Sequence, residues 1–191
     1  MILKYSSKVL LGVSGIYSAS CQRLKLALPV LGAYVIGTCS TEAKAAKAKA
    51  EGADEVILYS QKDFAEETQR ITDGKGVNVI YDGVGKTTFL KGFDCLAPRG
   101  TMVLFGGASG NPDPIHPAML AKGSYFLAYA SHFAYTSDHV LYRKMATELF
   151  QLVADGKLDF GSVEKIPLAN AKEAHDRLEG RKTTGKVLLV P

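Results

Sequence analysis

Apolar runs and helix-forming stretches alternate along this chain. The runs are AYVIGT (33–38), EVILYS (55–60), VNVIYDGVG (77–85), TMVLFGG (101–107), SYFLAYA (124–130) and KVLLVP (186–191). A shorter run opens KVLLGVSGIYSAS (8–20), followed by a glycine-punctuated turn and the start of a helix. Runs rich in β-branched residues and lacking polar alternation predict strands buried on both faces. Between them, STEAKAAKAKAEG (40–52), QKDFAEETQRITDG (61–74), KTTFLKGFDCLAPRG (86–100), TSDHVLYRKMATELFQLVADGK (136–157) and LANAKEAHDRLEG (168–180) have helical composition. Several of these end at glycine, and Pro98-Arg99-Gly100 reads as a turn.

Strands alternating with helices of this length predict a parallel sheet covered by helices on both faces. The fold class is therefore α/β: a doubly wound, Rossmann-like sheet in a single domain, with strand order 3-2-1-4-5-6 and a C-terminal helix and strand. KVLLVP becomes an added terminal strand or edge segment. SGNPDPIHP (109–117) is a proline-rich loop after a strand's C-terminal end, the edge where such sheets bind ligands.

Composition narrows the classes. The 191 residues are 47% hydrophobic and 22% charged, as in ordinary globular proteins, and the net charge of +4 gives nucleic acid little support. No apolar run reaches the roughly 20 residues of a membrane span. Lys8 interrupts the apolar start, so no signal-peptide layout is visible. Cys21, Cys39 and Cys95 are widely spaced and odd in number, which predicts free thiols and a cytoplasmic location.

The candidate chemistry lies in turns. Dinucleotide folds use G-x-G-x-x-G after the first strand, so that backbone N–H groups meet the pyrophosphate. Here Gly12 and Gly15 are spaced G-x-x-G, with Ser14 as an added donor. That turn either grips phosphate weakly or serves geometry alone. After the second strand, where NAD-selective folds place a carboxylate, stand Cys39, Ser40 and Thr41, with Lys44 a helical turn on. Hydroxyls and a lysine suit a 2′-phosphate. Equally, Ser40 or Thr41 caps the helix and the lysines form its solvated face. YDGVG and FGGASG place glycines where strands leave the sheet, letting a flat cofactor approach the backbone, or simply making turns with Asp82 as a turn residue. His116, His132, His139 and His175 form no zinc pattern, and no G-x-S-x-G elbow is present.

The ordered series GAYVIGTCSTEAKAAKAKAEGADEVILYSQKDF (32–64), ITDGKGVNVIYDGVGKTTFLKGFDCLAPRGTMVLFGGASG (71–110) and LEGRKTTGKVLLVP (178–191) resembles the cofactor domain of NADPH:quinone oxidoreductases. These are the zeta-crystallin-like, zinc-independent branch of the medium-chain dehydrogenase/reductases. The resemblance covers 32–191. It implies NADPH as cofactor, a quinone or related enone as substrate, and no metal. Ser40 and Lys44 would then face the 2′-phosphate, with Tyr59 beside the adenosine end. Asp82, Val84 and Gly85 would line the cofactor trough, and Phe105, Gly106 and Gly107 would approach the nicotinamide. Arg181 would neighbour a phosphate, and a homodimer would form through the sixth strand at 125–130. Two departures stand out. Residues 1–31 form a divergent first strand, turn and helix, interrupted by Pro29. The family's N-terminal GroES-like substrate domain would be absent, since only MILKYSS precedes the first strand. The expectation is a truncated NADPH-dependent reductase or, alternatively, a non-catalytic nucleotide-binding or dimerising remnant of one.

Overall fold

In the computed structural model, which describes residues 9–13, 33–50, 52–157, 163–180, 183 and 186–191, the run YVIGTC forms strand β2 (Tyr34–Cys39). Every residue of β2 after Tyr34 is buried, as a strand covered on both faces requires. Its companions are β1 (Val9–Val13), β3 (Glu55–Leu58), β4 (Val77–Asp82), β5 (Leu96–Leu104) and β6 (Phe126–Tyr129). All five pairings are parallel, and the spatial order is β3-β2-β1-β4-β5-β6. The expected six-stranded, doubly wound sheet is present in its expected order.

Local chemistry explains where the helices sit. Helix α1 (Glu42–Ala50) buries Ala45 and Ala48, three residues apart, which lets the helix lie close to the sheet. Helix α2 (Phe64–Ile71) starts at Asp63, whose Oδ1 accepts from the N–H groups of Ala65 (2.9 Å) and Glu66 (3.2 Å). Helix α3 (Phe89–Gly92) is a single turn running into a 3₁₀ turn, Phe93–Cys95. Phe89 and Phe93 meet edge to face at 5.3 Å, and they close the core over the fully buried Ile36, Val77, Ile80 and Met102. Further on lie α4 (Ala118–Ala121), α5 (His132–Thr136), α6 (His139–Ala154) and α7 (Ala171–Glu179).

Three sequence expectations need correction. KTTFLKGFDCLAPRG is helical only over its middle, because Leu96 already pairs with Val77 in β5. The register then shifts before Thr101 meets Val79, so Pro98-Arg99-Gly100 is an irregularity within the strand. Arg99 there has φ 61°, and its N–H donates to the Gly123 carbonyl at 2.7 Å. SYFLAYA does contain a strand, yet all four residues of β6 are exposed rather than buried on two faces. Among the described residues, β6 ends the sheet order, with a strand on one side only. Finally, KVLLVP forms β8 (Lys186–Val190), which pairs in parallel with β7 (Val163–Pro167) in a separate two-stranded sheet. Glu164 and Lys165 interrupt the apolar pattern of β7. No helix among the described residues is long and apolar enough to cross a membrane.

Candidate functional site

A doubly wound sheet binds ligands at the carboxyl ends of its strands, where the strand order reverses. That crevice lies between β1 and β4, whose register places Gly12 beside Tyr81 and Val13 beside Asp82. Gly12 also pairs with Gly37 of β2, so it lies within the strand and not in the turn that follows. Ser14, Gly15 and Arg181 lie outside the described residues.

The ends of β2 and β3 are joined by hydrogen bonds around Ser40 and Tyr59. The Tyr59 N–H donates to the Cys39 carbonyl at 3.1 Å, and the Ser60 hydroxyl donates to the Ser40 carbonyl at 2.8 Å. The cap of α1 falls to Thr41. Its Oγ1 accepts from the Lys44 N–H at 3.3 Å, and its carbonyl accepts from Ala45 at 3.0 Å. Lys44 is half-buried in the first turn of α1. The strand end offers hydroxyls, a helix N-terminus and an ammonium, with no carboxylate at 39–41 and the exposed Glu42 in the first turn of α1. This donor set fits a phosphorylated ribose better than a bare one.

The β4 end is organised by Asp82, which is fully buried. Its Oδ1 accepts from the N–H groups of Val84 (2.7 Å) and Gly85 (3.1 Å), and the Thr88 hydroxyl bridges Oδ1 and Oδ2 at 3.0 and 2.9 Å. Burial pushes the carboxyl above its ordinary value, while these donors pull it back. The Asp82 carboxylate thus shapes the Gly83–Val84–Gly85 turn from inside. Val84 is buried beside it.

The second glycine turn, after β5, is bound to the first. The Phe105 N–H donates to the Asp82 carbonyl (2.9 Å), Ala108 to Gly83 (3.2 Å), Ser109 to Val84 (2.8 Å), and Lys86 to Gly110 (3.0 Å). A Cβ on Gly85, where φ is +87°, would stand 2.5 Å from the Gly110 carbonyl oxygen. A Cβ on Gly106 would stand 2.8 Å from the Gly83 carbonyl oxygen. These glycines make room for one another's backbone, which is a structural reason for them that the sequence did not disclose. Phe105 and Gly106 are half-buried on this wall and Gly107 is exposed. Sequence reasoning missed Thr88 and Ser109. An Asp-Gly pair leaving a strand with a threonine six residues on is the signal that points to Thr88.

A profile described as zinc-binding dehydrogenase matches residues 51–189. The chain belongs to that family. It is 42% identical over 163 residues to 2-haloacrylate reductase of a Burkholderia species, covering 84% of this chain and 49% of that protein. It is 39% identical over 180 residues to quinone oxidoreductase 1 of Escherichia coli K12, covering 93% and 54%. Among solved structures, the quinone oxidoreductase of Pseudomonas syringae pv. Tomato DC3000 superimposes with a TM-score of 0.89 at 37% identity, over 97% of this chain and 57% of that one. The E. coli quinone oxidoreductase in complex with NADPH gives 0.88 at 35% identity, again over 97% and 57%. The chain thus spans about half the length of the curated relatives it matches.

Despite the family's description, the described residues do not fit a zinc ion. They contain no group of three or more His, Cys, Asp or Glu side chains able to hold one. Cys39 and Cys95 are buried, and burial pushes the Cys95 thiol up to about 12.

Proposed function

We propose that this chain binds NADPH and serves an oxidoreductase that reduces quinones or related enones. The observation that carries this reading is the paired end of β2 and β3: Tyr59 bonds the Cys39 carbonyl, Ser60 bonds the Ser40 carbonyl, and Lys44 stands in the first turn of the Thr41-capped helix, with no carboxylate at 39–41. Kinship with quinone oxidoreductases at this level of identity supports the substrate class. NADPH, when bound, supplies the hydride. Ser40 and Lys44 hold the 2′-phosphate, and Tyr59 flanks the adenosine. The Gly83–Gly85 and Phe105–Gly107 turns form the wall on the nicotinamide side. With Gly12 inside β1 and no full G-x-G-x-x-G following it in the sequence, the pyrophosphate is held more weakly than by that motif.

Calorimetric titration of the purified chain with NADPH and NADH tests the reading. Lys44→Glu is expected to weaken NADPH by about tenfold or more, some 1.4 kcal/mol, and to leave NADH nearly unchanged. Equal loss for both cofactors would reduce Lys44 to a surface charge. An NADPH-oxidation assay with a small quinone separates the enzyme from a non-catalytic nucleotide-binding remnant. We further propose a cytoplasmic homodimer joined along β6, favoured by Phe126 and Tyr129, which are 61% and 66% exposed on an edge strand.

A further inference from the structure

We infer that Asp82, Thr88 and Ser109 form a latch that positions the two glycine turns against the nicotinamide half of the cofactor. The inference rests on the NADPH reading above and assigns a role to groups that need not touch the cofactor themselves. Asp82 is fully buried, and no cation accompanies it in the hydrogen bonds described: its partners are two backbone N–H groups and the Thr88 hydroxyl. A buried carboxylate is costly to maintain, and here every bond it makes fixes the course of the chain from 82 to 88. Ser109 then ties the second turn to the first. Its hydroxyl donates to the Val84 carbonyl at 2.8 Å and accepts from the Thr87 N–H at 3.1 Å. Both turns leave neighbouring strands on the edge where the sheet binds ligands, and β4 borders the crevice. The adenosine end of the site is built on β2 and β3, on the far side of β1. The latch therefore acts on one half of the dinucleotide only.

That one-sidedness provides the test. Binding of NADPH and of adenosine 2′,5′-bisphosphate, which lacks the nicotinamide half, is measured on the wild type and on Asp82→Ala, Asp82→Asn and Ser109→Ala, with thermal melting alongside. Asp82→Ala is expected to weaken NADPH about tenfold and to leave the bisphosphate within about twofold. Asp82→Asn should recover most of the NADPH affinity, because its amide oxygen accepts the same two N–H groups. Ser109→Ala should follow Asp82→Ala at smaller amplitude, and it carries the test if Asp82→Ala does not fold. Equal loss of both ligands, or loss of neither, in a folded variant would overturn the latch and leave the NADPH reading standing. A wild type that binds the bisphosphate as tightly as NADPH would also overturn it. Binding of neither ligand by the wild type would overturn the NADPH reading itself, and the latch with it.

Discussion

Strands β5 and β6 lie side by side, and their apolar composition is similar, but their surroundings are opposite. In β5, Met102 and Leu104 are 0% and 3% exposed; across the pairing, Leu127 and Tyr129 of β6 are 39% and 66% exposed. Past β6 the contrast persists, for the 16-residue helix α6 contains no buried residue and presents Val140 and Phe150 to the surface. The difference teaches that an apolar run reports what a strand can bury, and that its neighbours decide whether it does so. An edge strand with such a surface is the kind of face that the proposed homodimer would cover.

Substitutions in the two regions should separate by size. Ile80→Ala removes a fully buried side chain at the centre of the core, and is expected to cost about 2–5 kcal/mol in urea denaturation. Next comes Gly76→Ala, in the turn leading into β4. The backbone there has φ +72°, and the added Cβ would stand 2.6 Å from the Ala97 nitrogen. A cost of about 1–3 kcal/mol is expected. A smaller loss, about 1 kcal/mol, should follow Asp63→Ala through the cap of α2.

The Asp63 position also carries a pH signature. The hydrogen bond from Lys91 is the main reason that the Asp63 carboxyl lies below its ordinary value, with the α2 amides adding to it. A depressed folded-state pKa adds stability above the unfolded value, and that stability is lost as pH falls through the folded value. The advantage of the wild type over Lys91→Gln should therefore be present at about pH 7 and fade as pH drops below about 4. A difference that survives in acid would point to packing of the Lys91 stem near the Phe64 ring, where its ammonium lies 5.8 Å from the centroid. The smallest effect belongs to the uncovered region: Val140→Ala, at a side chain 80% exposed, should change stability by less than about 0.5 kcal/mol. A large loss there in chemical denaturation would mean that α6 is covered in solution, and dilution would show whether a second copy covers it.

What the sequence disclosed follows from how local each cause is. The order of the six strands was readable because unbroken apolar runs alternate with helical segments, and right-handed crossovers leave few topologies. The irregularity at Pro98-Arg99-Gly100 was readable as a turn, but not as a part of β5, because only the pairing of Leu96 with Val77 makes it so. Strand β7 was hidden because VEKIP carries two charges, and its pairing with β8 depends on a contact between distant segments. At the candidate site, Ser40 and Lys44 were visible by their distance from a strand end. Thr41, and not Ser40, proved to be the cap, a choice made by backbone geometry. The role of Ser109 depends on two loops meeting across 22 to 25 residues, which no periodicity records.

The meeting of those loops sets a rule for anyone who would re-engineer the chain. Gly85 and Gly106 are each cut to fit the other turn's main chain, so neither turn is a replaceable part. Grafting after β4 alone a segment without glycine at 85 would drive a Cβ into the carbonyl of Gly110. Grafting after β5 alone one without glycine at 106 would do the same at Gly83. Turns borrowed from a relative to alter selectivity should therefore be moved as a matched pair, residues 82–88 with 105–110, in the way that a lock is exchanged together with its key.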